Sequence, residues 1–166
     1  MIRGHTASFV DGSYLVRTDI RPDTYRTRAN VAGCYWERER GLSGDPADVL
    51  SSDFTNVSAV VTIRASDKGF RSSGCGTWTT DLSRITKSKT APFPGGTYLV
   101  GTDIAPGRWR NSGGAGCYWE RERGFSGTHQ AVIANHFTNS RVTVTIARSD
   151  RGFMATEDCG RWTKVG

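Results

Sequence analysis

Apolar and polar positions along this chain fall in short alternating runs, interrupted at close intervals by Gly, Pro and Asp. The clearest alternation is Cys34-Tyr35-Trp36-Glu37-Arg38-Glu39-Arg40. As a strand it would place Cys34, Trp36, Arg38 and Arg40 on one face and Tyr35, Glu37 and Glu39 on the other. Further strands are predicted at Tyr14-Leu15-Val16 and Thr24-Tyr25-Arg26, and from Val57 to Ile63 and Val142 to Ile146, where β-branched residues are dense. Arg21-Pro22-Asp23 and Ala105-Pro106-Gly107 read as turns with Pro at the second position. Asp45 before Pro46 predicts a short helical turn with a capped start, and Thr128 is placed to cap a second one.

The pattern occurs twice. Gly12-Ser13-Tyr14-Leu15-Val16 returns as Gly96-Thr97-Tyr98-Leu99-Val100, and Gly33 to Gly41 (GCYWERERG) returns unchanged as Gly116 to Gly124. Phe54-Thr55-Asn56 returns as Phe137-Thr138-Asn139, Val61-Thr62-Ile63 as Val144-Thr145-Ile146, and Cys75-Gly76-Thr77-Trp78 as Cys159-Gly160-Arg161-Trp162. The offset slips only in loops, as expected of a folded unit copied whole. The expected organisation is an N-terminal arm (1–10), a first β-repeat (11–82), a basic, proline-ended and protease-sensitive linker (83–94) and a second β-repeat (95–166). With about six short strands in each copy, the fold expected is all-β: two tandem small β-sandwich or jelly-roll-like domains, each with one short helical turn.

Units this small have little interior to rely on, which gives the four cysteines a role. Four cysteines allow three pairings; repeat symmetry selects Cys34–Cys75 and Cys117–Cys159, each making its copy self-sufficient. Each bridge closes a loop of about 40 residues, worth roughly 4 kcal/mol by chain entropy. A zinc site is the rival reading, but no CxxC pair or shared histidine supports it. Disulfides imply an oxidising compartment. The protein is therefore expected to be secreted or at the cell surface, and the lack of a signal core after Met1 is read as trimming. No apolar run is long enough to cross a bilayer. The net charge of +6 mainly keeps a small protein soluble and tilts partner expectations toward an anionic cell-surface polymer or another protein. Nucleic acid is not expected, for want of a basic–aromatic platform.

The phrases Thr102-Asp103-Ile104-Ala105-Pro106-Gly107, Gly116-Cys117-Tyr118-Trp119-Glu120-Arg121, Val132-Ile133-Ala134-Asn135, Val144-Thr145-Ile146, Ser149-Asp150 and Cys159-Gly160-Arg161-Trp162 resemble a repeat in secreted proteins and lipoproteins of Streptomyces-like actinobacteria. The first copy departs from it at Asp23 and at Ser51-Ser52, so its turn and helix end are expected to differ. The resemblance implies secretion and an actinobacterial source, and it brings no catalytic residues.

Candidate chemistry is thin. His5, His129 and His136 have no counterparts in the other copy, which excludes a duplicated histidine site. The duplicated Asp19/Asp103 and Asp67/Asp150 could serve a hydrolase, but at strand ends they more readily cap turns. Trp36/Trp119 and Trp78/Trp162 are expected in the core, whereas Tyr25 and Trp109, flanked by arginines, are the candidate ligand platforms. The tetrads Glu37, Arg38, Glu39, Arg40 and Glu120, Arg121, Glu122, Arg123 read either as a solvated strand face or as a recognition stripe present twice. The function expected is a secreted, non-catalytic, bivalent binding or structural module without cofactor or metal. The alternative is a double-headed inhibitor or toxin-system component presenting Arg71-Ser72-Ser73-Gly74 and Met154 to Asp158 as loops.

Overall fold

A computed structural model describes residues 6–166; His5 and the first half of the expected arm lie outside the described residues. The chain divides into two compact units between Leu82 and Ser83, each all-β with its own core and its own disulfide.

In the first unit β1 (Ser8–Leu15), β2 (Asp23–Arg26), β3 (Cys34–Glu39), β4 (Val49–Thr55), β5 (Val60–Ile63) and β6 (Gly69–Thr79) pair antiparallel. The start of β6 pairs with β3, which carries β4 at the edge, and its far end meets β2, which carries β5, while β1 follows β6 along both halves. The long strand therefore bends. Gly74 and Gly76 supply the bend with left-handed backbone (φ 72° and 82°), and a Cβ on Gly74 would run into the Gly33 carbonyl. Opposite the bend β1 bulges at Asp11, whose carboxylate accepts hydrogen bonds from Ser72 Oγ (2.8 Å) and the Cys75 and Gly76 amides (3.1 and 2.9 Å). Folding the strands over in this way encloses Cys34, Trp36, Phe70, Tyr25, Val61, Ile63 and Trp78 in one core.

The second unit repeats the plan with β7 (Gly96–Leu99), β8 (Gly107–Asn111), β9 (Cys117–Glu122), β10 (Val132–Thr138), β11 (Thr143–Ile146), β12 (Gly152–Ala155) and β13 (Trp162–Lys164). Here the counterpart of β6 is cut into β12 and β13 by a 3₁₀ turn at Glu157–Cys159, leaving a four-stranded sheet β10-β9-β12-β7 and a three-stranded sheet β11-β8-β13. The predicted helical turns are 3₁₀ turns at Pro46–Asp48 and His129–Ala131. Asp45 caps the first by accepting from the Ala47 amide (2.9 Å). Thr128 makes no side-chain cap and bonds Ser126 Oγ instead (2.7 Å).

The unit boundaries expected at 11 and 95 fall too late. Ser8–Val10, assigned to an arm, open β1, and Phe9 packs against Tyr14, Tyr25 and Phe70 with ring centroids 4.9, 5.0 and 5.8 Å away. Phe93, assigned to the linker, is its counterpart: buried, 4.5 Å from Tyr98, 4.8 Å from Trp109 and 6.3 Å from Phe153. Other linker residues are also bonded into the second unit, the Ile85 amide to Asp103 Oδ1 (2.9 Å) and the Lys89 carbonyl to the Ala105 amide (2.8 Å).

Candidate functional site

The tetrad separates into three environments because the strand pleat sends its members different ways. Arg38 points inward with Cys34 and Trp36, and its guanidinium forks onto Asp67, Nε to Oδ2 and Nη2 to Oδ1, both at 2.8 Å. Both side chains are buried. Arg121 and Asp150 repeat the fork at 2.6 and 2.9 Å, with Arg121 23% exposed. Asp67 and Asp150 also accept from the Arg64 and Ala147 amides (2.9 Å each), so each carboxylate holds its turn and neutralises its arginine. Arg38 and Arg121 thus belong to neither a solvated face nor a recognition stripe. Arg40 and Arg123 lie just past the strand ends, exposed, with their amides bonded to Asp48 and Ala131 carbonyls.

Tyr25 and Trp109 are core residues, 1% and 0% exposed, and cannot stack against a ligand. Their polar atoms reach back to the preceding turn, Tyr25 Oη to the Arg21 carbonyl (2.7 Å) and Trp109 Nε1 to the Ala105 carbonyl (3.0 Å). Asp19 and Asp103 accept from the Leu15 and Leu99 amides (2.8 and 2.7 Å), closing the turn after the first strand of each unit. Arg71 to Gly74 form part of β6, and Met154-Ala155 part of β12, so the loops expected of an inhibitor are largely strand. His129 and His136 are exposed. Among the described residues no three His, Cys, Asp or Glu stand together to hold a metal.

On the opposite face of β3 and β9, where Glu37 and Glu122 are buried and the tyrosines half-buried, both units expose one phenylalanine at the margin. Tyr35 faces Phe54 across the β3–β4 pair, and Tyr118 faces Phe137 across β9–β10. Phe54 is 66% exposed and Phe137 60%. The Asn that follows in each copy has a structural duty, accepting from the Gly33 or Gly116 amide (2.8 and 3.0 Å). The Phe has none. Each Tyr donates its hydroxyl to the next outward Glu, Tyr35 to Glu37 and Tyr118 to Glu120 (2.8 Å both). Burial, reinforced by the neighbouring carboxylates against an Asn135 hydrogen bond, pushes the Tyr118 phenol up to about 12. Tyr35 is also raised, first by burial and then by Glu37.

The copies differ on the third strand of this face. Glu37 is opposite Arg71 and ion-paired to it, with Glu39 at 3.9 Å from the same guanidinium; Glu120 is opposite Met154. Burial first, and then Glu37, holds the Glu39 carboxyl above the usual range. Tyr35, Glu37, Glu39 and Arg71 floor a cleft of about 520 Å³, walled by Leu15 and by the loop carrying Leu42, Asp45 and Asp48. Phe54 and Phe137 were visible in the sequence only as markers of the repeat. The available signal was a large apolar residue, kept in both copies, pairing in parity with the polar face of the alternating strand.

A family model described as Rv1352-like extracellular domain matches residues 6–79 and again residues 89–163. No curated protein and no solved structure matches the chain. No helix among the described residues is long and apolar enough to cross a membrane.

Proposed function

The chain belongs to the Rv1352-like extracellular domain family, as two tandem copies, and from that premise we propose that it is a secreted, non-catalytic, bivalent binding module for an extracellular or cell-surface macromolecule. The observation that carries this reading is the duplicated exposed phenylalanine, Phe54 opposite Tyr35 and Phe137 opposite Tyr118, 66% and 60% exposed. An exposed aromatic kept twice costs solubility and points to a contact surface. Two such surfaces on one chain gain avidity against a partner that offers two sites. The non-catalytic reading is supported by the duplicated aspartates, all four of which are engaged in turn amides and two also in arginine forks. Of the two partner classes expected, an anionic polymer or a protein, carboxylates on the shared face favour the protein.

The test is retention of the full chain on cell-wall polysaccharide and on secreted proteins from the same source, for the wild type, Phe54→Ser, Phe137→Ser and the double variant. Both positions are exposed, so the fold is expected to persist. Each single variant should weaken retention on a protein partner, and the double variant should abolish it, by a factor on the order of 100. Undiminished retention of the double variant would dispose of the proposal.

A further inference from the structure

Apart from the phenylalanine surfaces, we infer that the first unit alone binds a short uncharged saccharide in the cleft over β1, β6 and β3. A glycine shapes that cleft. Leu15, Gly69 and Glu39 stand in one row across the three strands, and Gly69 puts no side chain between its neighbours. Leu42, in the loop after β3, comes down onto the glycine, where a Cβ would meet both Leu42 and the Glu39 carboxylate at 3.0 Å. Leu42 and Leu15 are thereby left as opposed apolar walls, 61% and 40% exposed. The volume of about 520 Å³ lies within the range of small-molecule pockets, about 300–1,000 Å³.

The polar lining selects a ligand rich in hydroxyls rather than an ion, because its charged groups are engaged within the chain. Arg71 is ion-paired to Glu37 and lies 3.9 Å from Glu39. Asp48 accepts from the Ser43 amide (3.0 Å) and hydroxyl, and Asp45 from the Ala47 amide (2.9 Å). Burial, and then Glu37, makes Glu39 reluctant to ionise. A ligand ion would have to displace one of these partners. Yet a guanidinium and a carboxylate each have more donor or acceptor positions than these contacts use. Held in place by their partners, they present donors and acceptors side by side, as the adjacent hydroxyls of a pyranose ring require, while the leucines meet its C–H face. The second unit lacks these features. Phe125 replaces Leu42 and lies on Gly152, Thr128 and Ala131 stand for Asp45 and Asp48, and Met154 stands for Arg71.

The experiment follows backbone amide shifts of the full chain during titration with cellobiose, maltose, mannobiose and N,N′-diacetylchitobiose. Cadaverine and a galacturonate disaccharide serve as the cationic and anionic probes. At least one neutral disaccharide should shift the Glu39, Leu42 and Arg71 amides saturably, without dependence on added salt, and leave Phe125 and Met154 unmoved. Arg71→Met should weaken that binding about tenfold, and Leu42→Phe should abolish it. Both variants introduce the residue that the second unit carries at the same place, so the fold is expected to persist. Silence of the cleft amides toward all the neutral disaccharides, or an equal response in the second unit, would overturn the inference. So would undiminished binding by both variants, or tighter binding of cadaverine or the galacturonate.

Discussion

Arg17 stands where the second copy has Gly101, and both take left-handed backbone (φ 81° and 89°) in the turn closed by Asp19 or Asp103. A side chain there is strained by about 1 kcal/mol, so Arg17→Gly should raise the stability of the first unit by about that amount in chemical denaturation. The buried fork is the larger stake. Arg38→Met leaves Asp67 charged and enclosed and should cost about 3 kcal/mol or more, whereas Arg121→Met, whose guanidinium water reaches, should cost less in the same assay. Glu39 behaves oppositely. Its folded pKa is raised, so the protonated form favours the fold; that stabilisation is complete below the ordinary Glu value and is lost as pH rises through the raised one. Glu39→Gln should therefore raise the unfolding midpoint at about pH 7 and leave it unchanged near pH 3. The residues misjudged from sequence were misjudged for a physical reason. Arg108 and Arg110 on either side of Trp109 suggested exposure, yet in a strand such neighbours point to the face opposite the aromatic; Arg26, which follows Tyr25, is itself buried. Arg38 fell on the Cys34–Trp36 face, and a core face implies a buried counter-charge; the carboxylate that supplies it lies far along the chain, at Asp67.

Among elements, β6 shows how one sequence pattern gives two solutions. In the first unit it runs unbroken through its bend, steadied by Asp11; in the second, Gly95 occupies the corresponding place and the 3₁₀ turn at Glu157–Cys159 makes the corner. Asp11→Ala should unfasten the first corner, costing about 2 kcal/mol, and speed hydrogen exchange at the Cys75 and Gly76 amides while leaving the second unit unchanged. The strands and their faces were legible because alternation and duplication agree; the bend was not, since Asp11 lies before the first visible repeat and has no counterpart to draw attention to it. Edge strands were equally hidden, because sheet order depends on pairings between distant segments that local pattern does not encode.

At the scale of the whole molecule, the disulfide pairing followed from symmetry alone, and each bridge stays within its unit, Cys34–Cys75 and Cys117–Cys159. Two self-contained cores predict two separable unfolding transitions in calorimetry. Replacing Cys34 and Cys75 together by Ala should lower the first unit's stability by about 4 kcal/mol and leave the other transition where it was. The unit boundaries were less legible. A polar, basic, proline-bearing segment reads as a linker, and the apolar side chains in it that pack on the second core, Ile85 and Phe93, are outweighed by their neighbours in any count of composition.

The equivalence of Phe9 and Phe93 bears on how such chains can be lengthened or recombined. Thr6-Ala7-Ser8-Phe9 and Thr90-Ala91-Pro92-Phe93 are the same opening, and the piece that must travel together begins there, ahead of the glycine where likeness first catches the eye. A unit excised at that glycine would leave behind the phenylalanine its own core encloses; one excised a few residues earlier would travel complete, able to be appended a third time without relearning how to close.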